Sequence, residues 1–379
     1  MSRKKKLLFG LLASSLILVW LEGFASAAFF LADLATKTGR TMSERQHTRY
    51  DETLGWVNLP RVHIESLWGP GMHLTTNGQG FRGREDVAIA TPPNQVRVIC
   101  SGDSFTLGYG VDDDHTWVHI LQRDHPGLQS VNMGNGGYGL DQACLWFLRD
   151  GQPLAHSLHI LAFVDFDFER MRSSDFLGYG KPLIRLRDNE LVVTGVPVPR
   201  RSYLAPWLTE NANVLGRLGL WRAMSALIQK LSPRDSSAGL LEPQEVADVT
   251  IRLLSKLIEA NARQHSGLLV VSLPTYHDPA GKLDSIWSQF MREITKQKGI
   301  PYLDLHEDFA RLSERQLQDT FIMKDIEGYR DSAGHYTVAG NEFVARTLYT
   351  RMQALPQIAG LLGSRPATPA PTAPPVTGR

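Results

Sequence analysis

The stretch Val96-Arg97-Val98-Ile99-Cys100-Ser101-Gly102-Asp103-Ser104-Phe105-Thr106-Leu107-Gly108-Tyr109-Gly110 decides the fold. Its first five residues form a short apolar run, which suits a strand covered on both faces. Gly102 and Asp103 end that run, and a helix is expected after the turn. In an open parallel sheet, ligands gather at the carboxyl ends of the strands. Ser104 stands at such an end, where its hydroxyl can face a substrate and its own N–H lies near a helix start. Read alone, the turn also fits a purely geometric use of Gly and Asp.

The same rhythm continues outward. Leu128–Asn132, Leu158–Val164, Gly267–Leu273 (ended by Pro274) and Pro301–Leu305 read as four further strands. Between them, Val246, Val249, Leu253, Leu257 and Ala260 recur at helical spacing behind Pro243, which suits a first helical turn. Residues 116–123 and 283–298 also read as helices. Alternating β and α units predict an α/β domain over 95–355, with a parallel sheet and right-handed crossovers. Two insertions interrupt it, at about 170–200 and at 206–243. The first contains a hairpin over 183–197 that turns at Arg187-Asp188-Asn189-Glu190. The second reads as a helix and a loose Ser232–Ser237 segment. Upstream, residues 34–94 form a loop-rich extension without helical period. The Pro/Ala/Thr-rich tail over 364–379 reads as disordered.

The chain has 379 residues, 42% hydrophobic and 21% charged, long enough to bury a core without a disulfide or metal framework. Forty Lys and Arg against 39 Asp and Glu leave a net charge of +1, which argues against a nucleic-acid binder. Cys100 and Cys144 are the only cysteines. Both lie in apolar stretches and read as small buried hydrophobes; no metal site and no cofactor is expected from them. The sequence alone leaves their pairing open.

The N-terminus carries a targeting segment. Arg3-Lys4-Lys5-Lys6 precedes an uncharged run from Leu7 to Leu21; Glu22 and a second apolar run to Ala32 follow. The first run alone spans about 22 Å as a helix and makes a signal-peptide core, with a cleavage site near Ala25-Ser26-Ala27. Continued to Ala32 it reaches about 39 Å, enough to cross a bilayer as an uncleaved anchor over residues 1–33. The basic start favours an inside N-terminus. Both readings export the rest of the chain, as an inner-membrane protein with a periplasmic or extracytoplasmic domain or as a secreted one.

Two further blocks carry chemistry. Asp331-Ser332-Ala333-Gly334-His335 places a histidine just before a helix with a carboxylate a few residues earlier, a base and its orienting partner. Asn132-Met133-Gly134-Asn135-Gly136-Gly137-Tyr138-Gly139 follows the second strand and leaves backbone N–H groups free to converge on an anion. It lacks Gly-x-Gly-x-x-Gly spacing and a Walker lysine, so a nucleotide is not expected.

Together the three blocks resemble the SGNH/GDSL hydrolase family over residues 95–350. The resemblance is to its membrane-anchored bacterial branch, whose members also carry Leu54-Gly55-Trp56 and Gly80-Phe81-Arg82 ahead of the domain. The resemblance implies a three-layer α/β/α, flavodoxin-like fold with five parallel strands in the order 2-1-3-4-5. It implies Ser104 as nucleophile, His335 as base and Asp331 as carboxylate partner, with the Ser104 and Gly137 N–H groups as oxyanion donors. Two positions depart from the family pattern. The carboxylate usually stands three residues before the histidine, where this chain has Ser332. A third donor, an Asn past the third strand, is replaced by Phe166, which donates no hydrogen bond. Asn135 is a candidate substitute donor.

The expected function is an exported serine esterase acting on an acyl ester, an acetyl group on an envelope carbohydrate or lipid. The same triad suits a polysaccharide O-acetyltransferase, for which the resemblance implies a membrane-bound acyltransferase as partner. A third alternative, following from Phe166, is a weakly active or inactive glycan-binding or assembly protein. In that case Phe166 blocks the pocket and Trp117, Trp146 and Trp207 offer stacking surfaces, although burial is the commoner use of each.

Overall fold

The computed structural model describes residues 2–36, 47–176, 179–198, 219–220, 223–224, 227, 240–276, 286–326 and 332–363. The chain forms two compact units, one within residues 1–41 and 200–240, the other within 42–199 and 241–379.

Among its described residues, the first unit holds helix α1 (Arg3–Thr36). Its stretch Arg3–Ala28 is long and apolar enough to cross a membrane. Glu22 interrupts that apolar surface and is hydrogen-bonded within its own unit. It accepts from Ser26 Oγ at 2.6 Å, from the Gly219 N–H at 2.6 Å and from the Leu220 N–H at 2.9 Å.

The second unit begins with two small antiparallel pairs, β1 (Thr48–Asp51) with β2 (Gly55–Asn58) and β3 (His63–Ile64) with β4 (Leu74–Thr75). Then follow β5 (Val96–Gly102), α2 (Ser104–Leu107), α3 (Trp117–Asp124), β6 (Leu128–Gly134), α4 (Leu140–Trp146), β7 (Leu158–Phe163) and α5 (Phe166–Met171). After the short pair β8 (Asp175–Phe176) and β9 (Tyr179–Gly180) comes the expected hairpin, β10 (Leu183–Arg187) with β11 (Glu190–Thr194). It turns on Asp188 and Asn189, both at positive φ (50° and 61°), the backbone of a two-residue hairpin turn that suits Asn and Asp. The rest comprises α6 (Pro243–Ala262), β12 (Gly267–Ser272), α7 (Ile286–Lys298), β13 (Tyr302–Asp304), α8 (His306–Ala310), α9 (Glu314–Thr320), α10 (Val338–Gln353) and α11 (Pro356–Gly363).

Five strands form one sheet in the order β13-β12-β7-β5-β6, all parallel. In chain order this is 2-1-3-4-5, as expected. The period of two along each strand divides the core. Ile99, Leu161, Phe163, Leu268 and Val270 face one side and pack with Leu140, Val246, Leu253 and Met291 from α4, α6 and α7. Val98, Cys100, Ile160, Leu269 and Val271 face the other and pack with Trp117, Ile120, Val344 and Leu348 from α3 and α10. That alternation is why both faces of the strands read as apolar, and it makes the three α/β/α layers. Cys100 and Cys144 are free and buried, and burial raises both thiol pKa values.

The extension ahead of the sheet is built into this core. Leu54, Trp56, Val57 and Phe81 belong to the first layer's cluster. Arg82 forms a buried ion pair with Asp113, Nε to Oδ1 at 3.0 Å. Its guanidinium also donates to the carbonyls of Leu107, Gly108 and Val111 at 2.7, 2.6 and 2.6 Å. These are the carbonyls in and just after the helix that Ser104 starts.

Candidate active site

Ser104 is the first residue of α2, directly beyond the carboxyl end of β5. The Asp103 side chain caps that helix, accepting from the Phe105 N–H at 2.9 Å. The cap fixes the turn, and the turn presents the serine. His335 lies three residues ahead of α10. Its Nε2 meets Ser104 Oγ at 2.8 Å, across 231 positions of chain. Its Nδ1 faces the Ser332 carbonyl at 3.2 Å. A proton on Nδ1 donated to that carbonyl leaves Nε2 as an acceptor, the tautomer a base for Ser104 requires. The imidazole also packs against Phe105 and Tyr109, with ring centroids at 4.6 and 4.7 Å. These aromatic rings fix its plane and suit the imidazolium formed during proton transfer.

Asp331, the expected carboxylate partner, lies outside the described residues, as does Trp207. Ser332, at the position where the family resemblance places a carboxylate, uses its hydroxyl to accept from the Ile326 N–H at 2.7 Å.

The Gly134–Gly137 turn leaves β6 beside the serine. Asn135 is fully buried, its N–H donates to the Gly102 carbonyl at 3.2 Å, and both polar atoms of its side chain lack hydrogen-bond partners among the described residues. Gly137 has φ +75°, and a Cβ there would stand 2.5 Å from Phe176 Cε1, so only glycine fits. Among the described residues, neither the Ser104 N–H nor the Gly137 N–H meets an acceptor. Two backbone donors therefore stand unspent at the carboxyl ends of neighbouring strands.

Arg170, which the sequence reading did not single out, ties this region together. Its Nη1 contacts Asp103 Oδ2 at 3.0 Å, Asp167 Oδ1 at 2.7 Å and the Tyr138 carbonyl at 2.9 Å. It thus links the serine turn, the start of α5 and the residue after Gly137. Burial, with the Asp103 carboxylate adding, holds the Asp167 pKa well above the usual carboxylate range, while Arg170 opposes that shift. The signal available in sequence was its place three residues after Asp167.

Phe166 begins α5, just past β7, and the residue is 54% exposed rather than packed into a pocket. Trp117 and Trp146 are packing residues, the use the sequence favoured over stacking. Both are buried, donating Nε1–H to the Phe105 carbonyl at 3.1 Å and to Asp150 Oδ2 at 2.9 Å. Neither presents a face to a sugar. Among the described residues, no group of three or more His, Cys, Asp or Glu side chains could hold a metal ion. A cavity of about 230 Å³ opens near Arg82, Asp113 and His119, but Ser104 and His335 do not line it.

No protein-family model matches the chain, and no curated protein does. Solved structures similar to it include a lipolytic protein of the G-D-S-L family from Veillonella parvula, at 14% identity and TM-score 0.38, over 69% of this chain and 100% of that one. Another is a putative lipolytic protein of that family from Desulfitobacterium hafniense, at 12% identity and TM-score 0.38, over 68% and 99%. A third is the acetyl xylan esterase AlAXEase, at 14% identity and TM-score 0.39, over 68% and 99%. Similarity this low carries no argument about the reaction, which rests on the site itself.

Proposed function

We propose that the chain is a serine acyl hydrolase of the SGNH/GDSL type, held at a membrane by α1 and acting on acyl esters through an acyl-enzyme. The observation that carries this reading is the 2.8 Å approach of Ser104 Oγ to His335 Nε2 beside two unspent backbone donors. Ser104 Oγ attacks the ester carbonyl as His335 Nε2 takes its proton. The carbonyl oxygen becomes an oxyanion and is met by the Ser104 and Gly137 N–H groups. His335 then returns the proton to the departing alkoxide, leaving the acyl group on Ser104. Water, deprotonated by the same nitrogen, releases the acid and restores the serine. Asp331 is proposed to steady the imidazole, and Asn135 to add a side-chain donor beside Gly137. The substrate class is an acyl ester of an envelope carbohydrate or lipid, acetyl before longer chains. Supporting an anchored enzyme is the exposed apolar surface of α1, with Leu8, Leu12, Leu16 and Val19 all open.

The test is labelling of the full-length protein in detergent with a fluorophosphonate, with the adduct located by mass spectrometry. The expected result is a single adduct on Ser104, lost in Ser104→Ala together with hydrolysis of p-nitrophenyl acetate. A folded protein that stays unlabelled, or a Ser104→Ala variant that still turns over, overturns the proposal.

A further inference from the structure

The Leu54-Gly55-Trp56 motif lies about 50 residues ahead of the serine turn, and the reaction above does not use it. We infer that Trp56 is a positioning residue for the oxyanion site, setting the direction of the Gly137 N–H. The inference rests on Gly137 being a donor, as proposed above.

The Trp56 indole Nε1–H donates to the Gly136 carbonyl at 2.9 Å, in a buried setting. That carbonyl and the Gly137 N–H are the two ends of one peptide unit. A trans peptide is planar, so its C=O and N–H point in opposite directions. A donor that pins the carbonyl on one side therefore aims the N–H toward the other. The carbonyl has no other donor among the described residues. Both flanking residues are glycines, whose backbone rotates more freely than any other, so this plane is easily flipped unless something holds it. A hydrogen bond onto the carbonyl also polarises the amide and strengthens its N–H as a donor.

Trp56 is itself held. Its carbonyl accepts from Tyr138 Oη at 2.6 Å, and its ring packs edge-on to Tyr138 at 5.6 Å and along Phe176 at 6.3 Å. Phe176 in turn covers the Cα of Gly137. Gly55, at φ +88°, approaches the Gly180 carbonyl too closely for any side chain, and the Leu54 carbonyl accepts from Gln142 Nε2 at 2.8 Å. Each residue of the motif thus helps to deliver one indole N–H to one peptide.

The test replaces Trp56 in the full-length chain with 3-benzothienylalanine, which exchanges the N–H for sulfur and keeps the ring, and separately makes Trp56→Phe. Turnover of p-nitrophenyl acetate, KM, thermal midpoint and inhibition by a phenylboronic acid are measured. The boronic acid becomes tetrahedral on the serine and presents an oxyanion-like oxygen. The expected result for the benzothienyl protein is a fall in kcat of about 10- to 100-fold, less than the roughly 10²–10³ that follows outright removal of one donor, because the Gly137 N–H is misaimed rather than deleted. Boronate affinity falls alongside kcat, while KM and the thermal midpoint hold. Wild-type kcat in that protein overturns the inference, and so does a parallel loss of thermal midpoint and activity. If Ser104→Ala abolishes turnover while the benzothienyl protein is unimpaired, only the role of Trp56 falls. If Ser104→Ala still turns over, the reaction assignment falls with it.

Discussion

Gly134 and Leu107 pack backbone against backbone: a Cβ on Gly134 would overlap the Leu107 nitrogen and Cα. This contact seats the end of the serine's helix directly on the last residue of β6. Asn132 strengthens it by donating Nδ2–H to the Thr106 carbonyl at 2.9 Å. Gly134→Ala is expected to destabilise by about 1–3 kcal/mol through overpacking and to displace the serine. Urea unfolding and esterase assays check this; a variant of wild-type stability and activity would contradict it.

His335→Ala is expected to lower kcat for p-nitrophenyl acetate by at least about 10³-fold and to abolish fluorophosphonate labelling. Removal of the base leaves the Ser104 hydroxyl protonated and the two backbone donors in place. Residual slow hydrolysis is compatible with the mechanism, but full labelling would strip His335 of its role.

Arg82 and Asp113 are both almost fully buried. Arg82→Met leaves that carboxylate unpaired and frees the carbonyls of Leu107, Gly108 and Val111. The expected loss is about 3–5 kcal/mol. The double variant Arg82→Met, Asp113→Leu is expected to regain part of it, because no buried charge remains. Denaturant titration of the single and double variants decides the matter; equal losses would show that the ion pair is not the dominant contribution.

The sheet was legible because both faces of its strands are covered: Val96–Cys100 and Leu158–Val164 read as unbroken apolar runs, and turns punctuate them. The Ser104–His335 pair was legible through its residue types, each set before a helix. The supporting contacts were not. Trp56 reaches Gly136 across 80 positions, and Arg170 reaches Asp103 across 67. No local period encodes such long-range contacts, whether to a backbone carbonyl or to a side-chain carboxylate. Trp117 and Trp146 read as packing residues and are buried, although apolar spacing alone does not tell a buried indole from one open to a ligand. The loop-rich look of the extension had a physical source too. Its strands have two to four residues, too short for a period to emerge, while Leu54, Trp56 and Phe81 are core residues all the same.

Asp304 sets an acid limit on stability. Burial alone would raise its pKa, but hydrogen bonds from His306 and an ion pair with Arg292 at 2.8 Å hold it below the usual carboxylate range. Its stabilising contribution is present above the unfolded value of about 3.9 and is lost as pH falls through the lower folded value. Thermal midpoints from pH 7 down to pH 3 are expected to fall more steeply for the wild type than for Asp304→Asn, with the variant less stable at pH 7. Parallel profiles would remove Asp304 from the account.

Phe166 gives the sharpest test of how many donors the site uses. It starts the helix after β7, the residue is half exposed, and its side chain contributes no hydrogen bond. Removing the ring therefore disturbs little packing, and Phe166→Ala is expected to change stability by less than about 0.5 kcal/mol. An asparagine at the same position restores an amide where the resemblance places the third oxyanion donor. One such donor contributes up to about 10²–10³ in rate, and a newly placed one less. Phe166→Asn is thus expected to raise kcat several-fold with KM little changed, whereas Phe166→Ala gives no gain. If Asn135 already fills the third place, Phe166→Asn adds nothing in the wild type but rescues Asn135→Ala. A Phe166→Asn protein that neither gains rate nor rescues Asn135→Ala would show that α5 is aimed away from the developing charge, leaving the two backbone N–H groups to hold it.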